Sequence, residues 1–292
     1  MKGTKLEKNI VLITFLFIPV VLMLAFVVYP ALEMVRYSLT NWDGASRSYD
    51  YIGIRNYIKV LFGSKEVWQS FKNNMIYLIV SFAFIPVEIL FAVFLNNKRK
   101  STNVFKSIYF LPYIINGVAI SYVFSYFYSS ANGGLNGILE ILGLEGLIQN
   151  WLSNKEIVNY SLPVVYIWRN FGFFIVLFIS GLQTIPQEIL EAAVVDGASS
   201  VQKFRYIIIP EIKRVIQIVV FMNITWCLQI FDIPFVMTSG GPGNASSTFS
   251  TYTIKTAFTF NNFGLANAMA VVLMCIIVVM LLLQSRLFKV ED

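Results

Sequence analysis

YSLPVVYIWRNFGFFIVLFISGL, residues 160–182, is too long and too uniformly apolar to be an ordinary element of a water-soluble core. A helix rises about 1.5 Å per residue, so roughly 20 apolar residues cross the hydrocarbon layer of a bilayer, about 30 Å thick. Five further runs meet that test, at residues 10–29, 75–95, 108–128, 215–237 and 265–283. Unpaired backbone groups are prohibitive in hydrocarbon, so spanning segments are helices or closed barrels, and these runs lack the short alternating pattern of barrel strands. The expected fold is an all-α membrane protein with six transmembrane helices in a single domain, residues 1–292. Composition agrees: 57% of residues are hydrophobic and 13% charged, against about 45–50% and 25% in a typical soluble protein.

Lys and Arg placement sets the expected orientation, because short cytoplasmic segments retain positive charge. With the amino terminus inside, 13 of the 22 fall on inner segments: Lys2, Lys5, Lys8, Lys98, Arg99, Lys100, Lys106, Lys203, Arg205, Lys213, Arg214, Arg286 and Lys289. Arg169 lies within a span, and the rest are spread over longer outer segments. Six spans put both termini in the cytoplasm. A net charge of +6 in a soluble chain would suggest nucleic acid, but here the charges flank membrane spans, so lipid is the expected partner and nucleic acid is not. The first run exceeds the 7–15 residues of a signal-peptide core and no small-residue cleavage site follows, so it reads as a retained anchor. Cys227 and Cys275 fall within spans as small apolar residues, implying neither disulfide nor metal. Trp42 and Trp68 in the first outer segment, residues 31–74, suit the headgroup region.

The spans carry few polar residues, and those are informative. Tyr166, Arg169, Asn170 and Phe173 stand at i, i+3, i+4 and i+7, on one helix face. Such a stripe suits a polar ligand such as a sugar; equally, Arg169 can pair with Glu88 or Asp232 while the aromatics pack against neighbouring helices. Asn223, Trp226, Gln229 and Asp232 follow at steps of three, which drift by about 60° per step, leaving Trp226 and Gln229 as the better candidates for lining a path. TSGGPGNASST, residues 238–248, reads as an outer loop, and Leu135, Ile138, Leu139 and Leu142 as a short surface helix.

The chain contains no histidine, the commonest general base and metal ligand. No P-loop is present to cradle ATP phosphates and no serine or cysteine has an activated setting. No catalytic residue, cofactor or metal is expected, so uphill movement would draw its energy from a partner or an ion gradient.

The inner loop at residues 183–214 has an ordered pattern. Thr184 and Gln187 have the spacing of a capping box, with Pro186 in the first turn. A helix through EILEAAVVDGA would place Ile189, Leu190, Ala193 and Val194 on one side. Gly197 would end or bend it, and Ser199 or Ser200 would cap a second helix running to Pro210. On periodicity alone this is also the pattern of an interfacial membrane helix.

EAAVVDGA, residues 191–198, with Phe204, Ile207 and Pro210, resembles the EAA loop of permease subunits of binding-protein-dependent ABC importers. FLP at 110–112, GGLN at 133–136 and TSGGP at 238–242 resemble the carbohydrate-uptake branch, which imports oligosaccharides or glycerol phosphate. Arg214 departs from the pattern, since many relatives place a proline there. The resemblance implies a MetI-like transmembrane domain, one half of a permease heterodimer, served by two ATPase subunits and an extracytoplasmic solute-binding protein, for a carbohydrate substrate in a bacterial cytoplasmic membrane. It further implies that Glu191 and Asp196 make polar contacts to an ATPase, that Ala192, Ala193 and Ala198 give close packing, and that Gly197 supplies a bend. Tyr166, Arg169, Asn170, Phe173, Trp226 and Gln229 would line the substrate path. The competing expectation is a proton-driven secondary transporter with Glu88 or Asp232 as carrier.

Overall fold

A computed structural model describes residues 5–96 and 100–288. Lys2, Lys98, Arg99 and Lys289, part of the charge pattern above, lie outside the described residues. In chain order the helices are α1 (Lys5–Met23), α2 (Tyr29–Ser38), α3 (Arg55–Ile58), α4 (Lys65–Leu95), α5 (Lys100–Ile114), α6 (Gly117–Phe127), α7 (Gly134–Ile141), α8 (Val158–Leu182), α9 (Gln187–Val195), α10 (Ser200–Lys203), α11 (Ile209–Glu211), α12 (Lys213–Gln229), α13 (Asp232–Thr238), α14 (Phe249–Phe258) and α15 (Phe263–Leu287), with no strand among the described residues.

Among the described residues, five helical stretches are long and apolar enough to cross a bilayer: Leu12–Ser38, Lys65–Leu95, Val158–Leu182, Lys213–Thr238 and Phe263–Leu287. They overlap five of the expected spans but run further into polar sequence, because a helix continues past the hydrocarbon wherever its backbone stays paired. Thus α4 begins at Lys65, inside what the sequence suggested was outer loop. The expected third span is not straight: Val104–Ile114 and Gly117–Phe127 meet at 95°. The break falls at Asn116, whose side chain accepts the Val118 N–H at 2.8 Å and so caps α6. The fifth is interrupted too, between Gln229 and Asp232, where α12 stops and α13 starts.

By contacts the chain forms two compact units. The first contains residues up to Ser64 and Thr253–Met274. Its Leu12–Ser38 helix buries none of its apolar window within the chain. The segment after it is held by Asn56, which donates to the Ser38 and Thr40 carbonyls at 2.9 and 2.8 Å. Trp42 stacks on Tyr37 at 4.3 Å and packs near Phe263. The Ser46 hydroxyl, with the Ser46 and Ala45 N–H groups, holds the Asp43 carboxyl down at about 2.

The second unit holds Lys65–Tyr252 and the residues from Cys275 on. Here α8 is the centre, lying against α4, α5 and α12. Small residues let the backbones approach: a Cβ on Gly172 would strike the Tyr109 carbonyl of α5, and one on Gly181 would meet Val215 of α12. Ile85, Ile89 and Ala92 of α4, Phe174, Phe178 and Ile179 of α8, and Val219 of α12 make a continuous buried core.

Residues 238–248, expected as a plain loop, are packed. Ser246, Ser247 and Thr248 are buried, and the Thr238 and Ser246 hydroxyls meet at 2.8 Å. Asn73 of α4 donates to the Ala245 and Ser247 carbonyls, both at 2.8 Å, and Asn159 of α8 donates to Ala245 at 2.7 Å. Asn74 donates to the Cys227 carbonyl at 2.7 Å and accepts the Phe249 N–H at 2.8 Å. This amide clamp fixes α13 and its following loop to α4, α8 and the end of α12.

Candidate functional site

Between α5, α8, α12 and α13 lies a cavity of about 390 Å³, lined by Tyr113, Tyr166, Arg169, Asn170, Trp226, Gln229, Ile230, Phe231 and Asp232. Five of the six residues expected on a substrate path are therefore on one wall system. The sixth, Phe173, stands just behind: its ring stacks on Tyr113 at 4.4 Å and lies 5.5 Å from Trp226. Helical spacing brings Tyr166, Arg169 and Asn170 to one face of α8, and the end of α12 supplies Trp226 and Gln229. Asn223 does not join them; it is buried and donates to the Val219 carbonyl of its own helix.

Arg169 is resolved in favour of one expected partner. Its Nη1 donates to Asp232 Oδ2 at 2.6 Å, and the two side chains, both lining the cavity, are 23% and 31% exposed. Asp232 Oδ1 accepts the Ile233 N–H at 3.0 Å, so the carboxylate also anchors the start of α13. Gly117, at the first turn of α6, touches this pair: a Cβ there would collide with both the carboxylate and the guanidinium. Glu88 is not paired with Arg169. It is buried in α4, and its Oε2 has no hydrogen-bond partner among the described residues. Asn170 donates to the Tyr166 carbonyl one turn back, at 2.8 Å.

Sequence reading missed Tyr113 and the 230–231 break. Tyr113 follows Pro112 in an apolar run whose helical phase is lost at the 95° bend, and Phe231 reaches the cavity only because the helix stops there. The Asn223–Asp232 series was expected on continuous helix, and Ile230 and Phe231 line the cavity where that helix is interrupted.

The second candidate is the loop from α9 to α11. The expected Thr184–Gln187 box is not formed. Thr184 Oγ1 instead donates to the Gly181 carbonyl at 2.8 Å, closing the end of α8, and Pro186 is the N-cap of α9. The helix end does follow the sequence. Gly197 has φ +79°, its N–H reaches the Val194 carbonyl at 3.1 Å and the Ala198 N–H reaches Ala193 at 2.9 Å, which is the Schellman arrangement. Ser199 and Gln202 form a reciprocal capping box on α10.

Leu190, Phe204 and Ile208 pack against the core shared by α4, α8 and α12. Ala193 is also buried, whereas Ile189 and Val194, expected on the same side, are 40% and 58% exposed. The outward surface carries Glu191, Ala192, Asp196 and Val195, the last 87% exposed. Beside it is a hollow of about 310 Å³ lined by Asp196, Gly197, Ala198, Gln202, Tyr206 and Ile207. Arg214, the position that departs from the usual proline, stands in the first turn of α12, which starts at Lys213 after Ile212.

Residues 85–289 match the family of binding-protein-dependent transport system inner membrane components. The probable ABC transporter permease protein YurN of Bacillus subtilis is 34% identical over 95% of this chain and 96% of its own length. The multiple sugar-binding transport system permease protein MsmF of Streptococcus mutans is 33% identical over 94% of each. Among solved structures, a chain of a bacterial alginate ABC transporter, in complex with an alginate pentasaccharide-bound periplasmic protein, superposes with a TM-score of 0.84. It covers 98% of this chain and 98% of its own, at 21% identity, and shares the fold.

Proposed function

As the chain belongs to the family of binding-protein-dependent transport system inner membrane components, we propose that it is one permease half of an ATP-driven saccharide importer in a bacterial cytoplasmic membrane. A second permease subunit completes the path, two ATPase subunits supply energy from the cytoplasm, and an extracytoplasmic binding protein delivers the sugar. Both termini lie on the cytoplasmic side. The observation that carries this reading is mechanical continuity. Leu190, Phe204 and Ile208 of the exposed loop pack on the same α4–α8–α12 core against which Trp226 of the cavity packs.

A partner that grips α9 therefore moves a rigid body whose other end lines the cavity. Glu191 and Asp196 are the polar contacts to the ATPase, and Ala192 and Ala198 let it approach. Ala193 sets how closely α9 lies on its own spans, and Gly197 holds the turn. Closure of the ATPases rocks the spans around the cavity, in the manner of alternating access. The cavity supplies what a sugar needs: the flat faces of Tyr113 and Trp226, with Phe173 behind them, and hydrogen-bonding groups on Asn170, Gln229 and the Arg169–Asp232 pair.

In proteoliposomes holding the complete complex, Gly197→Pro and Glu191→Lys should each lower saccharide uptake and binding-protein-stimulated ATP hydrolysis by about tenfold or more, a loss of roughly 1.4 kcal/mol of coupling. The four subunits should still co-purify. Undiminished uptake in both variants would contradict the assignment of this loop.

A further inference from the structure

Among the residues that line the cavity, Arg169 is the one cation and Asp232 the one anion. They are joined at 2.6 Å, and the carboxylate is also held by the Ile233 N–H. Gly117 leaves the space in which the pair sits. The other lining groups are aromatic, aliphatic or amide. Tyr113 and Trp226 present nearly parallel rings, 19° apart, and Phe173 stacks behind Tyr113.

Resting on the saccharide-importer reading, we propose that Asp232 is a specificity-determining residue: by cancelling the charge of Arg169 it makes this half of the path accept neutral saccharides and reject anionic ones such as uronates and sugar phosphates. The physics is direct. An unpaired guanidinium is a forked receptor for carboxylate and phosphate. With its charge cancelled by Asp232 through one N–H of the fork, the arginine presents an incoming anion with a carboxylate alongside, and the anion loses hydration without gaining a net counter-charge. A neutral sugar loses less, because its hydroxyls exchange water for amide and phenol groups while its C–H faces stack on the rings.

The test begins with the intact complex in proteoliposomes and a radiolabelled panel: maltotriose, raffinose and cellotriose against trigalacturonate, glucose 6-phosphate and glycerol 3-phosphate. The expected result is transport of neutral members alone. The solubilised complex without binding protein is then titrated with the transported sugar against trigalacturonate. Wild type should prefer the neutral ligand by about tenfold or more, Asp232→Asn should shift that ratio toward the anion by about tenfold, and Arg169→Gln/Asp232→Asn, again uncharged, should restore the wild-type ratio. Transport of an anionic member by wild type overturns the proposal, as does an unchanged ratio in Asp232→Asn. Should Asp232→Asn fail to assemble, the double variant still decides, because equal affinity for both ligands in it removes the charge argument. Transport of no saccharide at all would instead overturn the importer reading on which the proposal rests.

Discussion

Asn74 shows how much can hang on one buried amide in a membrane protein. It donates to the Cys227 and Leu228 carbonyls at 2.7 and 3.2 Å and accepts the Phe249 N–H at 2.8 Å. The Leu228 and Cys227 carbonyls lie where α12 runs out, so the bonds Asn74 gives them stand in for those a continuing helix would have made. Asn74→Ala would strand these groups, at about 1–3 kcal/mol for each one left unsatisfied. Thermal unfolding of the purified chain in detergent should show a loss of at least about 2 kcal/mol, and a shift under about 0.5 kcal/mol would refute the clamp. None of this was readable from the residue itself. Asn73 and Asn74 sit at the edge of an apolar run, where an amide reads as the end of a loop, and their partners lie more than a hundred residues away. Arg169, by contrast, announced its importance through its depth, and its two possible partners could be written down in advance. The choice of Asp232 over Glu88 required the helix break that brings Asp232 to the cavity.

Among the elements, legibility followed local chemistry. The end of α9 was readable because a Schellman turn needs a residue tolerant of positive φ, and Gly197 supplies it; a following cap was expected at Ser199 or Ser200, and Ser199, at capping-box spacing from Gln202, is the one that forms it. The start of α9 was misread because the same spacing at Thr184 and Gln187 meets a competing acceptor, the Gly181 carbonyl at the end of α8. The broken third span had a local cue, the turn-forming pair Asn116–Gly117, but hydropathy windows average over such a pair. The cap on α10 carries its own prediction. Ser199→Ala should cost about 1 kcal/mol of local stability. Hydrogen exchange at the amide of Gln202, whose N–H Ser199 accepts at 3.3 Å, should then quicken about fivefold. Unaltered exchange at that amide would show that the cap does not hold the loop.

At the scale of the whole molecule, α8 ties a cavity to a surface. Its middle carries Tyr166, Arg169 and Asn170, and its lower half carries Phe174, Phe178 and Ile179, against whose cluster Leu190 and Phe204 rest. The apolar runs marked the five stretches that are long and apolar enough to cross a bilayer and the pair bent by 95°, because hydrocarbon imposes length and pairing on every span. They said little about the cavity, which depends on two interruptions and on packing between helices distant in sequence. The central claim is that motion enters at α9 and is paid for by ATP hydrolysed in a partner. It is tested most directly by saccharide uptake into proteoliposomes holding the complete complex, with and without internal ATP and with and without a proton ionophore. Uptake should require ATP and external binding protein, persist with the ionophore, and survive Glu88→Gln. Uptake without ATP that collapses with the ionophore and disappears in Glu88→Gln would contradict the account and make this chain a proton-driven carrier.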